Sequence, residues 1–102
     1  MHGFVNLWMA ASLVRAVLQG GSLRGARLIG ADLSRADLTE CAIDGADFSG
    51  ADLSESDLEC ADLRNANLRN ANLANADLDA VRVDGVDLPA VDFTVARNFR
   101  HP

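Results

Sequence analysis

With 102 residues the chain has room for one domain, and its hydrophobic fraction of 49% contains only four Phe, one Trp and no Tyr, which excludes a core built on aromatic bulk. The formal charge is −6 and every cation is Arg: residues 1–30 carry Arg15, Arg24 and Arg27 with no acid, residues 31–80 carry twelve acids against three Arg, and residues 81–102 balance. An acidic middle excludes direct nucleic-acid binding, which needs cations to release phosphate counterions, and suits a basic partner.

At the N-terminus, Phe4 to Leu18 is apolar but holds Asn6, Ser12 and Arg15. It is too short and too interrupted for a membrane span, and it lacks the basic leader of a secretory signal. A cytoplasmic protein without membrane contact is therefore expected. Two readings of residues 1–18 stay open. Phe4, Leu7, Trp8 and Ala11 lie at helical spacing and would make a capping helix. Alternatively the five-residue register starts near residue 9, with residues 1–8 as the cap and Phe4 and Trp8 closing the open end. In that register Met9, Val14 and Val17 point outward, leaving an apolar surface at one end.

From Leu13 onward one pattern governs the chain. Every fifth residue is large and apolar: Leu13, Leu18, Leu23, Leu28, Leu33, Leu38, Ile43, Phe48, Leu53, Leu58, Leu63, Leu68, Leu73, Leu78, Val83, Leu88 and Phe93. Two residues before each stands a small one: eleven Ala, then Gly21, Cys41 and Ser56, and at the end Val81, Val86 and Val91. Between them comes mostly Asp or Asn. On an α-helix a spacing of five advances about 500°, so this row would spiral round the cylinder and form no face. The order small, polar, large instead reads in, out, in, a three-residue strand. The two remaining residues must turn the chain. Gly or Asn fills the second of them at Gly20, Gly25, Gly30, Gly45, Gly50, Asn65, Asn70, Asn75 and Gly85, and these are the residues that accept positive φ at a corner. Four such corners close a square, and coils of about twenty residues then stack about 4.8 Å apart.

The units Ala31-Asp32-Leu33, Ala51-Asp52-Leu53, Ala66-Asn67-Leu68 and Ala71-Asn72-Leu73 resemble the A-(D/N)-L-x-x signature of the pentapeptide-repeat family, and the resemblance covers about residues 9–95. It implies an all-β fold, a right-handed quadrilateral parallel β-helix of about four coils over residues 9–95, followed by a tail or cap at 96–102. The wider Val81, Val86 and Val91 should distort the last coil, with Phe93, Val95 and Phe99 as its plug. An open end coil exposes core and unpaired edge, so a homodimer through a terminal coil is expected.

Stacking at a spacing of twenty sets out surface columns. Arg24, Asp44, Arg64 and Asp84 alternate in sign, and Arg35 sits over Glu55. Exposed pairs of this kind contribute at most about 1 kcal/mol and serve to set register. Asp37, Asp57 and Asp77 stack like upon like, which requires either local backbone hydrogen bonds or a use for the negative stripe. With Asp32, Asp52 and the corner acids Glu40, Glu55, Glu59 and Asp79 they form the candidate interaction surface. Arg64, Asn65, Asn67, Arg69, Asn70, Asn72 and Asn75 form a distinct Asn-rich third coil, where Asn suits the corners.

No catalytic constellation, metal set or cofactor motif is present in the sequence. His2 and His101 sit at the termini, and Cys41 and Cys60 fall on opposite sides of the wall. A structural or protein-interaction module is the reading that follows, not an enzyme. The family resemblance also implies an alternative, a DNA-mimicking modulator of a type II topoisomerase such as gyrase, since some members resemble B-DNA in size and charge and are linked to fluoroquinolone resistance. Four coils of roughly 20 Å in all are short for that role. A third reading is an array with no dedicated partner.

Overall fold

The computed structural model describes residues 11–100. Its backbone pairs with itself at a spacing of twenty. Parallel bridges join Ser12 to Asp32, Asp32 to Asp52 and Asp52 to Asn72 on a first side, and Val17, Asp37, Asp57, Asp77 and Arg97 in succession on a second. Ser22, Ala42, Asp62 and Arg82 make a third column, and Arg27, Asp47 and Asn67 a fourth. Four sides per twenty residues is the square coil that the family resemblance implies. Residues 11–18 belong to it, so the helical reading fails there; the proposed cap of residues 1–8 and the start at residue 9 lie outside the described residues.

The reason the chain takes this path is a closed account of its backbone donors. In the unit 31–35, Ala31 N–H donates to Leu28 O across the turn (3.0 Å) and Asp32 N–H to Ala11 O in the coil before (2.9 Å). Leu33 N–H donates to Asp52 O (2.7 Å) and Arg35 N–H to Ser54 O (2.9 Å), both in the coil after. The fifth donor, Ser34 N–H, has no backbone acceptor; it donates to Asp32 Oδ1 at 3.0 Å. The same side-chain bond forms under Asp37, Asp47, Asp52, Asp57, Asp62, Asn67, Asn72, Asp77 and Asp92. Asp or Asn before the large residue is therefore a backbone device, the Asx turn, since an unmet N–H near the wall is costly.

Every corner from Arg15 to Gly85 has positive φ at its second residue, between 57° and 78°. The sequence marks nine of these with Gly or Asn, yet Arg15, Arg35, Glu40, Glu55, Cys60 and Ala80 adopt the same left-handed conformation. Each such side chain costs on the order of 1 kcal/mol, and the ladder on both flanks imposes it.

Inside, the large row is fully buried from Leu28 through Leu78, with Phe48 at 0% exposure. Burying each of these side chains is worth roughly 1.5–3 kcal/mol. Cys41 is buried in the small row, and Ser56 fits there because its Oγ donates to Leu53 O at 2.6 Å. Leu13, Leu18 and Leu23 at one end, and Leu88 and Phe93 at the other, are half-buried.

The sequence period runs unbroken to Phe93, but the backbone does not follow it. Asn67 and Asn72 have no bridged partner above them among the described residues, and the ladder resumes only at Asp77 with Arg97. Pro89 lies within the break. It occupies the position whose N–H should meet the carboxylate of Asp87, and it has none to give. Leu88–Ala90 instead forms a turn of 3-10 helix, and the Asp87 carboxylate accepts from Arg69 Nη2 at 2.7 Å. The turn at Val81 is longer as well, with its N–H meeting Leu78 O at 3.4 Å, and Asn75 N–H donates to Val95 O where Thr94 O is the equivalent acceptor. Phe93 and Phe99 stack with centroids 4.1 Å apart. Val95, expected in the plug, is 44% exposed.

Asp52 is the sharpest probe of the Asx device. Asp52→Ala orphans Ser54 N–H and is expected to lower stability by about 1 kcal/mol, while Asp52→Asn, which keeps an acceptor, stays within a few tenths. Chemical denaturation of the two variants measures this; equal losses would mean that the carboxylate acts through its charge.

Candidate interaction surface

The outward side chains of one side and the corner that follows it concentrate the acidity. Asp37, Asp57 and Asp77 rise in the second column, and the winding places Glu40, Glu59 and Asp79 on the corner just beyond them. Carboxylate oxygens of Asp57, Glu59 and Asp77 lie within 4.8 Å of one another. Unit charges at that distance in water repel by about 0.9 kcal/mol before screening.

The two groups of acids are held differently. Asp37, Asp57 and Asp77 each accept a backbone N–H, from Thr39 (3.1 Å), Glu59 (3.0 Å) and Asp79 (3.1 Å). The Thr39 hydroxyl and amide hold the Asp37 carboxyl below the usual carboxylate range, and Asn98, whose Nδ2 lies 3.0 Å away, does the same for Asp77 together with the Asp79 amide. Their stacking is thus repaid locally. By contrast, the carboxylates of Glu40, Glu59 and Asp79 make no hydrogen bond or ion pair with the described residues. Among the described residues nothing pairs with them. Cys60 sits among them, exposed. Its thiol is pushed up by lost solvation first and then by Glu59, Glu40, Asp79 and Asp57. The sequence carried the signal for this residue, because Cys60 falls twenty positions after Glu40 and directly follows Glu59.

The remaining members of the expected surface lie elsewhere. Asp32 and Asp52 belong to the first side, where Asp32 also accepts from Ser34 Oγ at 2.7 Å, which lowers its pKa. Glu55 is neutralised by Arg35 at 3.2 Å. Arg24 pairs with Asp44 at 3.0 Å, but the alternating column stops there. Arg64 turns to Asp62 in its own unit, with Nε and Nη2 donating at 2.9 and 2.7 Å, and this holds Asp62 down at about 2. A two-residue reach costs less side-chain freedom than bridging coils. The Asn-rich coil resolves into corners (Asn65, Asn70, Asn75) and Asx acceptors (Asn67, Asn72).

A concavity of about 470 Å³ opens at the C-terminal end, lined by Leu88, Pro89, Val91, Phe93 and Phe99 among others. Among the described residues no helix is long and apolar enough to cross a membrane.

The family of pentapeptide repeats matches the chain in eight copies, over residues 11–50, 46–85 and 56–94. The chain belongs to the pentapeptide-repeat family. Its fold is the right-handed, four-sided β-helix of that family. Among solved structures it is similar to a pentapeptide repeat protein from Nostoc Pcc 7120, with 40% identity, a TM-score of 0.72, and coverage of 74% of this chain and 62% of that one. A pentapeptide repeat protein from the cyanobacterium Cyanothece 51142 shares 32% identity, with a TM-score of 0.64 and coverage of 74% and 58%. One from the Arabidopsis thaliana thylakoid lumen shares 30%, with a TM-score of 0.53 and coverage of 86% and 67%. The chain thus spans about 60% of the length of the first two relatives. No curated protein sequence matches it.

The lowered carboxyls set the acid limit of the pentapeptide solenoid. Asp37, Asp62 and Asp77 titrate below their unfolded values, so the stability they confer is complete above the ordinary carboxylate pKa and is lost as pH falls through the folded one. For Asp62 that window runs from 3.8 down to about 2. The melting temperature should hold roughly level from about pH 7 to 5 and fall steadily below about pH 4. A solenoid that gained stability across the acid range would show that repulsion along the acidic side outweighs the Asx bonds.

Proposed function

We propose that this chain is a non-enzymatic protein-interaction module whose acidic side, Asp37, Asp57 and Asp77 with Glu40, Glu59 and Asp79, receives a basic segment of another protein. The observation that carries the reading is the lack of any internal role for Glu40, Glu59 and Asp79. A fold that spends its other acids, Asp84 apart, on Asx turns and on pairs with Arg24, Arg35, Arg64 and Arg69 leaves these three facing solvent together, beside a column already negative. Long solenoid sides are flat and rigid, and a rigid charged surface favours encounter with an oppositely charged one. The coil interior supports the non-enzymatic part, since Leu and Ala fill it and leave no polar pocket there.

A charge-matched comparison tests this. The triple variant Glu40→Gln, Glu59→Gln, Asp79→Asn is expected to melt no lower than the parent, because no hydrogen bond is lost. It should fail to retain the proteins that the parent captures at low salt. The control Asp44→Asn, Glu55→Gln, Asp84→Asn removes the same charge elsewhere and should retain them. Equal retention by both variants, or equal loss by both, would refute the assignment to this side.

A further inference from the structure

Leu88, Val91 and Phe93 pack on the core, but the segment that carries them does not join the ladder. Among the described residues no backbone hydrogen bond reaches residues 87–92 from another coil. On either flank Leu63 and Leu78 N–H donate to Arg82 O and Arg97 O. By the same step Leu68 and Leu73 would meet Asp87 O and Asp92 O, and they do not. This unladdered segment lines the concavity of about 470 Å³, with Phe99 completing the wall. That volume lies in the range that takes a small organic ligand.

The wall says what such a ligand carries. Leu88, Val91, Phe93 and Phe99 make it apolar, and the two phenyl rings stack with centroids 4.1 Å apart. Phenyl rings attract a cation brought within about 6 Å of their centroids. Asp92 is the one charged residue of the lining, and it is exposed. Its Oδ1 accepts from both the Thr94 amide and the Thr94 hydroxyl, while no described residue donates to Oδ2. The Thr94 hydroxyl and amide hold this carboxyl below the usual carboxylate range, so it is an anion at neutral pH. No Arg lines the concavity, and Asp92 has no ion pair among the described residues. One unneutralised carboxylate in an apolar, aromatic hollow complements a cation that carries an apolar body.

We propose that the concavity at the C-terminal end binds a small arylalkyl ammonium ion, with its apolar part against Leu88, Val91 and Phe93 and its cationic head at Asp92 Oδ2. The site shares no residue with the acidic side and does not rest on the reading of Glu40, Glu59 and Asp79.

Benzyltrimethylammonium serves as the probe and N,N-dimethylbenzamide as its uncharged counterpart of similar size. The Leu88 and Val91 methyl resonances of the full chain report binding. The cation should move both methyls saturably and bind at least about tenfold more tightly than the amide. Asp92→Asn keeps an acceptor for the Thr94 amide, so it should melt like the parent and yet lose this preference. The triple variant Glu40→Gln, Glu59→Gln, Asp79→Asn should bind the cation as the parent does. Equal affinity for the two probes, or methyls that do not move, overturns the proposal, and this comparison needs no variant. A preference that survives Asp92→Asn, or that disappears in the triple variant, overturns it as well. Methyl shifts that grow with protein concentration in the absence of any probe also overturn it, and assign the concavity to a second copy of the chain.

Discussion

The hydrogen bond from the second corner residue's N–H-bearing neighbour to an Asp or Asn side chain two residues back is small, and the solenoid depends on it. Of the five donors in each unit of residues 31–65, one closes the turn and three reach adjacent coils. The last points along the corner with no backbone oxygen in range, and the Asx acceptor meets it. Without it the ten corners that have it would each leave one N–H unmet, although the units with Ala42 and Arg82 at that position lack it and still bridge their neighbours. With it, a strand of only three residues is enough, because the sides from Asp32 to Asp62 are each held from above and below. The same ladder fixes Glu40, Glu55 and Cys60 in a left-handed conformation that their own sterics disfavour.

One consequence reaches function. Acidity in this protein is largely a by-product of backbone satisfaction, so net charge alone says little about partners. Asp32, Asp47 and Asp52 carry negative charge because the fold needs an acceptor there. The acids that inform about function are those the ladder does not employ. On the second side both kinds coincide, and a column that the backbone makes negative is extended by a corner that sequence choice makes negative. Asp44, Glu55 and Asp87 face Arg24, Arg35 and Arg69 instead. The corner of Glu40, Glu59 and Asp79 has no such partner among the described residues.

The ends obey the same accounting. Where Pro89 removes the donor, the Asx turn cannot form, the Asp87 carboxylate is released to Arg69, and the wall departs from its register until Arg97 rejoins Asp77. Such a departure blunts the sheet edge against open-ended stacking. It also opens the apolar concavity around Phe93 and Phe99.

The five-residue period set out strand-and-corner units before any coordinates, and the family resemblance implied how they wind. Together they gave the inward row, the small residues facing it, the opposite orientations of Cys41 and Cys60, and the pairing of Arg35 with Glu55. These follow from a local rule repeated, and a repeated rule is legible in one dimension. Tertiary structure decided the matters in which two partners compete for one group. Arg64 stands in a column between Asp44 and Asp84, yet the nearer Asp62 takes it. Phe93 keeps the period, yet Pro89 breaks the register before the chain reaches it. Six of the nine expected surface acids share one side, while Asp32, Asp52 and Glu55 lie apart from them, because a corner divides residues that are close in sequence and stacking joins residues twenty apart.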